Sequence, residues 1–176
     1  MTIRSFVTEE APDGLFSEVR PLVFGAFDGR FTDEDWEHTL GGRHVVVFDE
    51  GLCVAHAAVV PRTLCVAGAP FDCGYVEGVA TAPEKQGRGF GSLAMTEISR
   101  FIRSEYEFGA LSTDRHSFYE RLGWERWSGP TYVRTGTDEV RTEEEDAGIM
   151  VLRFGPSGGI DLAAALSCEA RRGDDW

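Results

Sequence analysis

The chain has few of the features that would carry it out of the cell or into a membrane. After the charge in Met1-Thr2-Ile3-Arg4-Ser5-Phe6 there is no sustained apolar segment, so no signal peptide is expected. The longest apolar run, around Cys53 to Val60, is interrupted by His56 and is far too short to span a bilayer. Cysteines number four (Cys53, Cys65, Cys73, Cys168), and none falls in a CxxC spacing. Without an oxidising destination they are expected to be buried free thiols in strands. The four histidines (His38, His44, His56, His116) make no ligand-spaced pair with a cysteine, so no metal site is expected. Basic residues are also scarce, at 17 against 30 acidic, which leaves a net charge of −13. Such a field repels nucleic acid and anionic membranes and attracts cationic ligands. The same charge would suit an acidic surface that only aids solubility, so the location of the acids has to decide. A soluble cytoplasmic protein is expected, with no nucleic-acid or membrane partner.

What is present fits one domain over residues 1–176 with one sizeable core, at 42% hydrophobic and 11% aromatic content. No internal repeat or low-complexity linker divides it. Ile3 to Thr8 reads as a strand, and Leu15, Val19, Leu22, Val23 and Phe27 mark a helix whose middle Pro21 disturbs. Thr32 followed by Asp35 resembles a capping box, which starts a short helix over Asp33 to Leu40 that Gly41-Gly42 ends. Strands over His44 to Phe48, Leu52 to Val66 and Phe71 to Thr81 form an antiparallel meander. Phe90, Ala94, Ile98, Phe101 and Ile102 recur with a 3.6-residue period and predict a helix from Gly89 to Glu107. A strand at Ala110 to Ser112, a helix at Ser117 to Leu122 and a strand from Trp124 to Val133 follow. Thr137 to Asp146 reads as an acidic surface loop and Ile149 to Phe154 as the last core strand. This order is that of an α/β (α+β) fold with a mixed sheet.

Val76 to Ser92 is the most informative stretch. A strand carrying Glu77, a buried-looking carboxylate, ends in a loop with glycines at 87, 89 and 91 that opens into the helix. Glycine lets the backbone approach a bulky anion, and the helix aims free N–H groups and its positive dipole end at the same spot. No GxGxxG opens the first strand and no GK[ST] follows Gly91, so dinucleotide and nucleoside-triphosphate motifs do not fit. The pattern Gln86-x-x-Gly89-x-Gly91 after a strand with Glu77 resembles the acetyl-CoA-binding signature of the GNAT N-acetyltransferases.

That resemblance implies a mostly antiparallel mixed sheet with splayed central strands and helices on both faces. It implies that the pyrophosphate of coenzyme A sits on the amides of Gln86, Gly87, Arg88, Gly89, Phe90, Gly91 and Ser92, with Arg88 adding a charge. It also implies that the amides of Val79 and Thr81 pair with the pantetheine arm and polarise the thioester carbonyl, a fixed donor typically worth ~3 kcal/mol.

Further segments narrow the likeness. Phe31-Thr32-Asp33-Glu34-Asp35-Trp36-Glu37-His38-Thr39-Leu40-Gly41-Gly42, Tyr75-Val76-Glu77-Gly78, Gly109-Ala110-Leu111-Ser112, Tyr119 with Gly123-Trp124, and Arg172-Gly173-Asp174-Asp175-Trp176 are similar to stretches of the aminoglycoside 2′-N-acetyltransferases. By that resemblance the amines of a polycationic aminoglycoside meet Asp35, Glu77, Asp174 and the terminal carboxylate of Trp176, with Glu145 near a fifth acidic position. Gly78 and Ser112 belong to the same acceptor side, and a homodimer is often the assembly of such enzymes. Converging carboxylates bind such polycations by charge-assisted hydrogen bonds, and losing one buried partner costs ~2–5 kcal/mol. Glu77 is the implied base for the acceptor ammonium and Tyr119 the implied acid for the thiolate, a phenol of pKa ~10 being a suitable donor. Two features depart from those relatives. Arg30 stands where they carry an aspartate, and the stretch from Ser112 to Tyr119 is two residues shorter. The residues alone leave open a GNAT acting on a polyamine, peptide or protein, or a catalytically silent acetyl-CoA- or aminoglycoside-binding protein.

Overall fold

The computed structural model describes all of residues 1–176 and divides into two compact units, Met1–Val60 with Val76–Arg100, and Pro61–Tyr75 with Phe101–Trp176. In the first, β1 (Thr2–Val7) pairs antiparallel with β2 (Arg43–Asp49), and β2 pairs antiparallel with the early residues of β3 (Leu52–Val66). Against these lie α1 (Leu15–Ala26) and α2 (Asp33–His38), with a core of Phe6, Leu15, Val19, Val23, Phe31, Trp36, Val46 and Ala80. Pro21 stands inside α1 without splitting it. A helix-interior proline costs ~3 kcal/mol, and burying Leu15, Val19 and Val23 on one face returns ~1.5–3 kcal/mol each. The capping box of Thr32 and Asp35 starts α2 as expected, but the helix stops two residues early, at His38. Gly41, at φ +80°, makes the turn that follows.

The first unit also holds the end of β4 (Ala69–Thr81) and the start of α3 (Phe90–Glu105). Phe90, Ala94, Met95 and Ile98 form the buried face of α3 there. Phe101, expected on that face, is only half-buried, and Met95 is buried in addition.

In the second unit the strand order is β6-β9-β5-β4-β3-β10-β7-β8, adding β5 (Phe108–Ser112), β6 (Glu125–Arg126), β7 (Thr131–Thr135), β8 (Asp138–Arg141), β9 (Ile149–Leu152) and β10 (Leu166–Glu169). Pairings are antiparallel except β4 with β5 and β10 with β7. The β4–β5 pairing covers three residues and ends at Tyr75 and Ala110. The short α4 (His116–Glu120) precedes β6.

Three expectations are corrected here. Trp124 to Val133 is not one strand but β6 and β7, which pair with different partners. Between them Gly129 packs so tightly that a Cβ would meet the Ala164 carbonyl oxygen at 1.9 Å, and Pro130 follows with no N–H to give. The acidic segment after Thr137 is not a loop throughout. Asp138–Arg141 returns as an exposed edge strand on β7, turned by Gly136 at φ +65°. Finally, β9 is not the last core strand, because β10 follows with Leu166, Ser167 and Cys168 buried. All four cysteines are free and lie in strands, with Cys53 and Cys65 half-buried rather than buried. No helix is long and apolar enough to cross a membrane.

Candidate functional site

Along the end of β4, exposure alternates with the strand period. Val76, Gly78 and Ala80 are buried, while Glu77, Val79 and Thr81 are half-exposed on the other side. Glu77 is therefore not sealed in the interior as its apolar neighbours suggested. Gly78 breaks the regular strand. Its φ is +58°, and a Cβ there would approach Thr39 Cγ2 to 2.9 Å, so only glycine fits this kink.

Beyond Thr81, a single 3₁₀ turn (Pro83–Lys85) leads to the glycine-rich loop. The Gln86 side-chain Nε2 donates to the Thr81 carbonyl at 3.3 Å, which ties the loop back to the strand, while its backbone N–H donates to the Pro83 carbonyl at 3.3 Å. Gly87 and Gly89 have φ of +73° and +87°, with nothing within 4 Å of an added Cβ, so the loop opens outward. The first helical hydrogen bond of α3 runs from Leu93 N–H to Gly89 O. The amides of Phe90, Gly91 and Ser92 thus precede the helical ladder at the positive end of its dipole. Phe90 itself is buried and offers only its backbone. Two cations edge the loop: Lys85 bonds Asp49 at 2.9 Å, and the exposed Arg88 approaches the same carboxylate at 4.0 Å. The Lys85 contact leads the causes that hold the Asp49 carboxyl below its usual range. The part Lys85 plays here escaped the sequence reading, since its partner lies far back in the chain on β2. The open, anion-ready backbone fits a pyrophosphate, which coenzyme A carries.

The same unit holds Asp35 and Arg30. Asp35 Oδ2 accepts from the Thr32 N–H at 2.7 Å and from its hydroxyl at 2.9 Å, so that oxygen serves the helix cap. Arg30 is exposed, its Nε 3.4 Å from the Phe27 carbonyl oxygen.

In the second unit, Ser112, Glu145 and Asp174 come together. Burial raises the Glu145 carboxyl first, and the charges of Asp174 and Glu144 raise it further, against a hydrogen bond from Ser112 that lowers it. Carboxylates held in mutual repulsion leave a place whose energy falls when a cation arrives. Asp174 Oδ1 accepts from the Trp176 N–H at 3.1 Å, and the buried Trp176 indole donates to Thr142 Oγ1 at 3.1 Å. Arg171 donates to the Asp174 carbonyl oxygen and to an oxygen of the Trp176 terminal carboxylate, and the buried Arg62 donates to the Asp175 carbonyl at 2.8 Å while its Nε bonds Glu169 at 3.2 Å. The tail is thus tied down by two arginines whose function no motif announced, because their acceptors are mostly backbone oxygens. Tyr119 lies in α4 with its ring beside Phe118 and Trp124. Burial pushes its phenol well above the ordinary value of 10, against smaller opposing effects of Arg115 and a Thr113 hydrogen bond. It stays protonated at any working pH and is a weaker acid than its residue type suggested.

The model of the acetyltransferase (GNAT) domain matches residues 8–127. An aminoglycoside 2′-N-acetyltransferase of Mycolicibacterium fortuitum is 40% identical over 99% of this chain and 92% of its own length. Among solved structures, a GNAT family acetyltransferase from Brucella melitensis in complex with acetyl-CoA covers 94% of both chains at 17% identity with a TM-score of 0.60. A GNAT family N-acetyltransferase from Escherichia coli in complex with CoA covers 95% of this chain and 88% of its own, at 17% identity and a TM-score of 0.55. With the family model spanning most of the chain and a relative similar from end to end, the chain belongs to the GNAT acetyltransferase family.

Proposed function

We propose that the protein is a single acetyltransferase domain that moves the acetyl group of acetyl-CoA to the 2′-amine of an aminoglycoside, in the cytoplasm. The observation that carries this reading is the 40% identity to the Mycolicibacterium fortuitum enzyme across almost the whole chain. Two physical features support it. The loop from Gln86 to Ser92 has the open glycines and helix-start amides that a pyrophosphate needs, and the Ser112, Glu145 and Asp174 cluster has the repulsion that a polycation relieves.

When bound, acetyl-CoA supplies an activated acyl group on a thioester. The chain's own residues have distinct tasks. The amides of Gln86 to Ser92 and the Arg88 guanidinium hold the pyrophosphate. The Val79 and Thr81 amides would hold the pantetheine arm, with the Val79 N–H as the fixed donor for the thioester carbonyl. Glu77, half-exposed on the same side of β4, takes the proton that an ammonium must lose before it can attack. Asp35, Glu145, Asp174 and the Trp176 terminus hold the remaining amines. Tyr119, its buried phenol protonated at rest, would be the group that gives a proton to the leaving sulfur.

The test is thiol release from acetyl-CoA across a panel of aminoglycosides and peptides. Glu77→Gln and Tyr119→Phe should each lower kcat ~100-fold or more while coenzyme A binding survives. Turnover with peptides only, or binding of both ligands without any turnover, would overturn the reading.

A further inference from the structure

A line of hydrogen bonds runs through the interior of the first unit and ends on the site strand. His56 Nδ1 lies 2.8 Å from the Gly78 carbonyl oxygen, His44 Nδ1 lies 3.0 Å from His56 Nε2, and His44 Nε2 lies 2.9 Å from Thr8 Oγ1. Both imidazoles are fully buried. With both rings neutral, the protons along this line follow from its carbonyl end. A carbonyl oxygen only accepts, so His56 Nδ1 carries hydrogen. A neutral ring then presents a bare Nε2, which accepts from His44 Nδ1–H. His44 Nε2 is bare in turn and accepts the Thr8 hydroxyl hydrogen. Thr8 Oγ1 also accepts the Gly41 N–H at 2.9 Å, and the Gly42 carbonyl oxygen, 3.3 Å away, is a second and more distant acceptor for its hydroxyl.

The line has a direction, and it cannot conduct. Its far end is an amide carbonyl, which does not take up a proton, and charging His56 would set its Nε2–H face to face with the His44 Nδ1–H. Burial lowers the His44 pKa to about 3 and the His56 pKa to about 4, so the rings stay neutral at working pH. Nor can the rings swing. Phe6 stacks on His44 with centroids 5.7 Å apart, Phe16 lies 4.9 Å from it, and Trp36 lies 6.4 Å from His56.

What the line holds is one peptide plane. The Gly78 carbonyl and the Val79 N–H belong to the same peptide unit, and no peptide of the chain is cis. In a trans peptide the C=O and N–H point in opposite directions. A carbonyl held inward on His56 therefore turns the Val79 N–H away from that ring. We propose that His56, backed by His44 and Thr8, is a positioning residue for acetyl transfer, a rigid strut that aims the Val79 amide at the thioester carbonyl. The inference rests on the acetyltransferase reading for its purpose and on the hydrogen-bond geometry alone for its existence.

The experiment has two arms. Long-range proton–nitrogen correlation on the histidine-labelled protein should show both rings as Nδ1–H tautomers that do not titrate between about pH 8 and pH 5. An Nε2–H tautomer at His56, or a ring that charges in that range, would overturn the strut. In the second arm, coenzyme A should shift the Val79 amide resonance in the unmodified protein and in His56→Gln, which keeps a donor and an acceptor. It should fail to do so in His56→Leu. Turnover should fall ~30-fold or more in His56→Leu, with recovery to within ~5-fold in His56→Gln, as expected when a fixed donor is misaimed. Equal turnover in a folded His56→Leu, or an equal loss in both variants, would overturn the positioning role. A protein inactive toward every acceptor would sink the acetyltransferase reading, while the tautomer and amide-shift readouts would still decide the strut.

Discussion

Mild acid should destabilise this protein through two side chains, and the size of the effect follows from their burial. His44 and His56 hold folded pKa values of about 3 and about 4, against 6.5 for an unperturbed ring, and desolvation is the leading cause for both. The unfolded chain takes up protons at these rings as pH falls through 6.5, and the folded chain does not. Their stabilising contribution is therefore complete above pH 6.5 and drains away as pH falls toward 4. Each ring contributes a slope of about 1.4 kcal/mol per pH unit inside that window, so two rings cost about 4 kcal/mol on going from neutral pH to about pH 5. Domains of ordinary stability have only ~5–15 kcal/mol to lose. The Asp146 carboxyl, held down to about 2 chiefly by Arg141, begins to matter only at lower pH, while the raised Glu145 carboxyl binds its proton earlier in the folded chain and offsets part of the histidine loss. Urea unfolding followed by tryptophan fluorescence at about pH 7.5, 6 and 5 measures the slope, with a constant m-value as the check on two-state behaviour. His56→Gln should halve the slope, to about 1.4 kcal/mol per pH unit. An unchanged slope in that variant would refute the assignment of acid sensitivity to the buried pair.

Other perturbations test the remaining elements. Gly78→Ala should cost about 2–4 kcal/mol in urea unfolding, since it combines a left-handed backbone with a 2.9 Å clash on Thr39 Cγ2. Adding Thr39→Ser, which removes the clashing methyl and keeps the hydroxyl bond to the Trp36 carbonyl, should recover part of that loss. Arg62→Ala should destabilise by about 3 kcal/mol, because the tail carbonyl of Asp175 and the Glu169 backbone lose a buried charged donor. Arg30→Asp should tighten binding of amino-rich aminoglycosides about 3-fold or more, read by calorimetry across a panel. No change there would mean that Arg30 does not face the acceptor.

Much of this molecule was legible in its sequence, for local reasons. The capping box of Thr32 and Asp35, the apolar period of α1 and α3, and the alternating glycines from Gln86 to Ser92 each depend on neighbours within a few positions. Those patterns located the helices, the open glycine-rich loop before α3 and the family. The split of Trp124 to Val133 into β6 and β7 was not legible, because a strand's partner is chosen by distant chain and Gly129 reveals its close packing only beside Ala163 and Ala164. β8 escaped for the opposite reason, since an exposed edge strand carries no apolar alternation. Side-chain fate divided in the same way. Residue type and motif were enough to nominate Glu77, Tyr119 and the acidic residues. Only the folded chain showed that Glu77 is half-exposed, that Tyr119 is a weakened acid, and that one oxygen of Asp35 serves its helix. The sequence placed His44 and His56 twelve positions apart with no pattern between them. It took the pairing of β2 with β3, and the kink at Gly78, to bring two rings and a carbonyl into one line, because hydrogen bonds between strands depend on register and direction that no short stretch of residues contains.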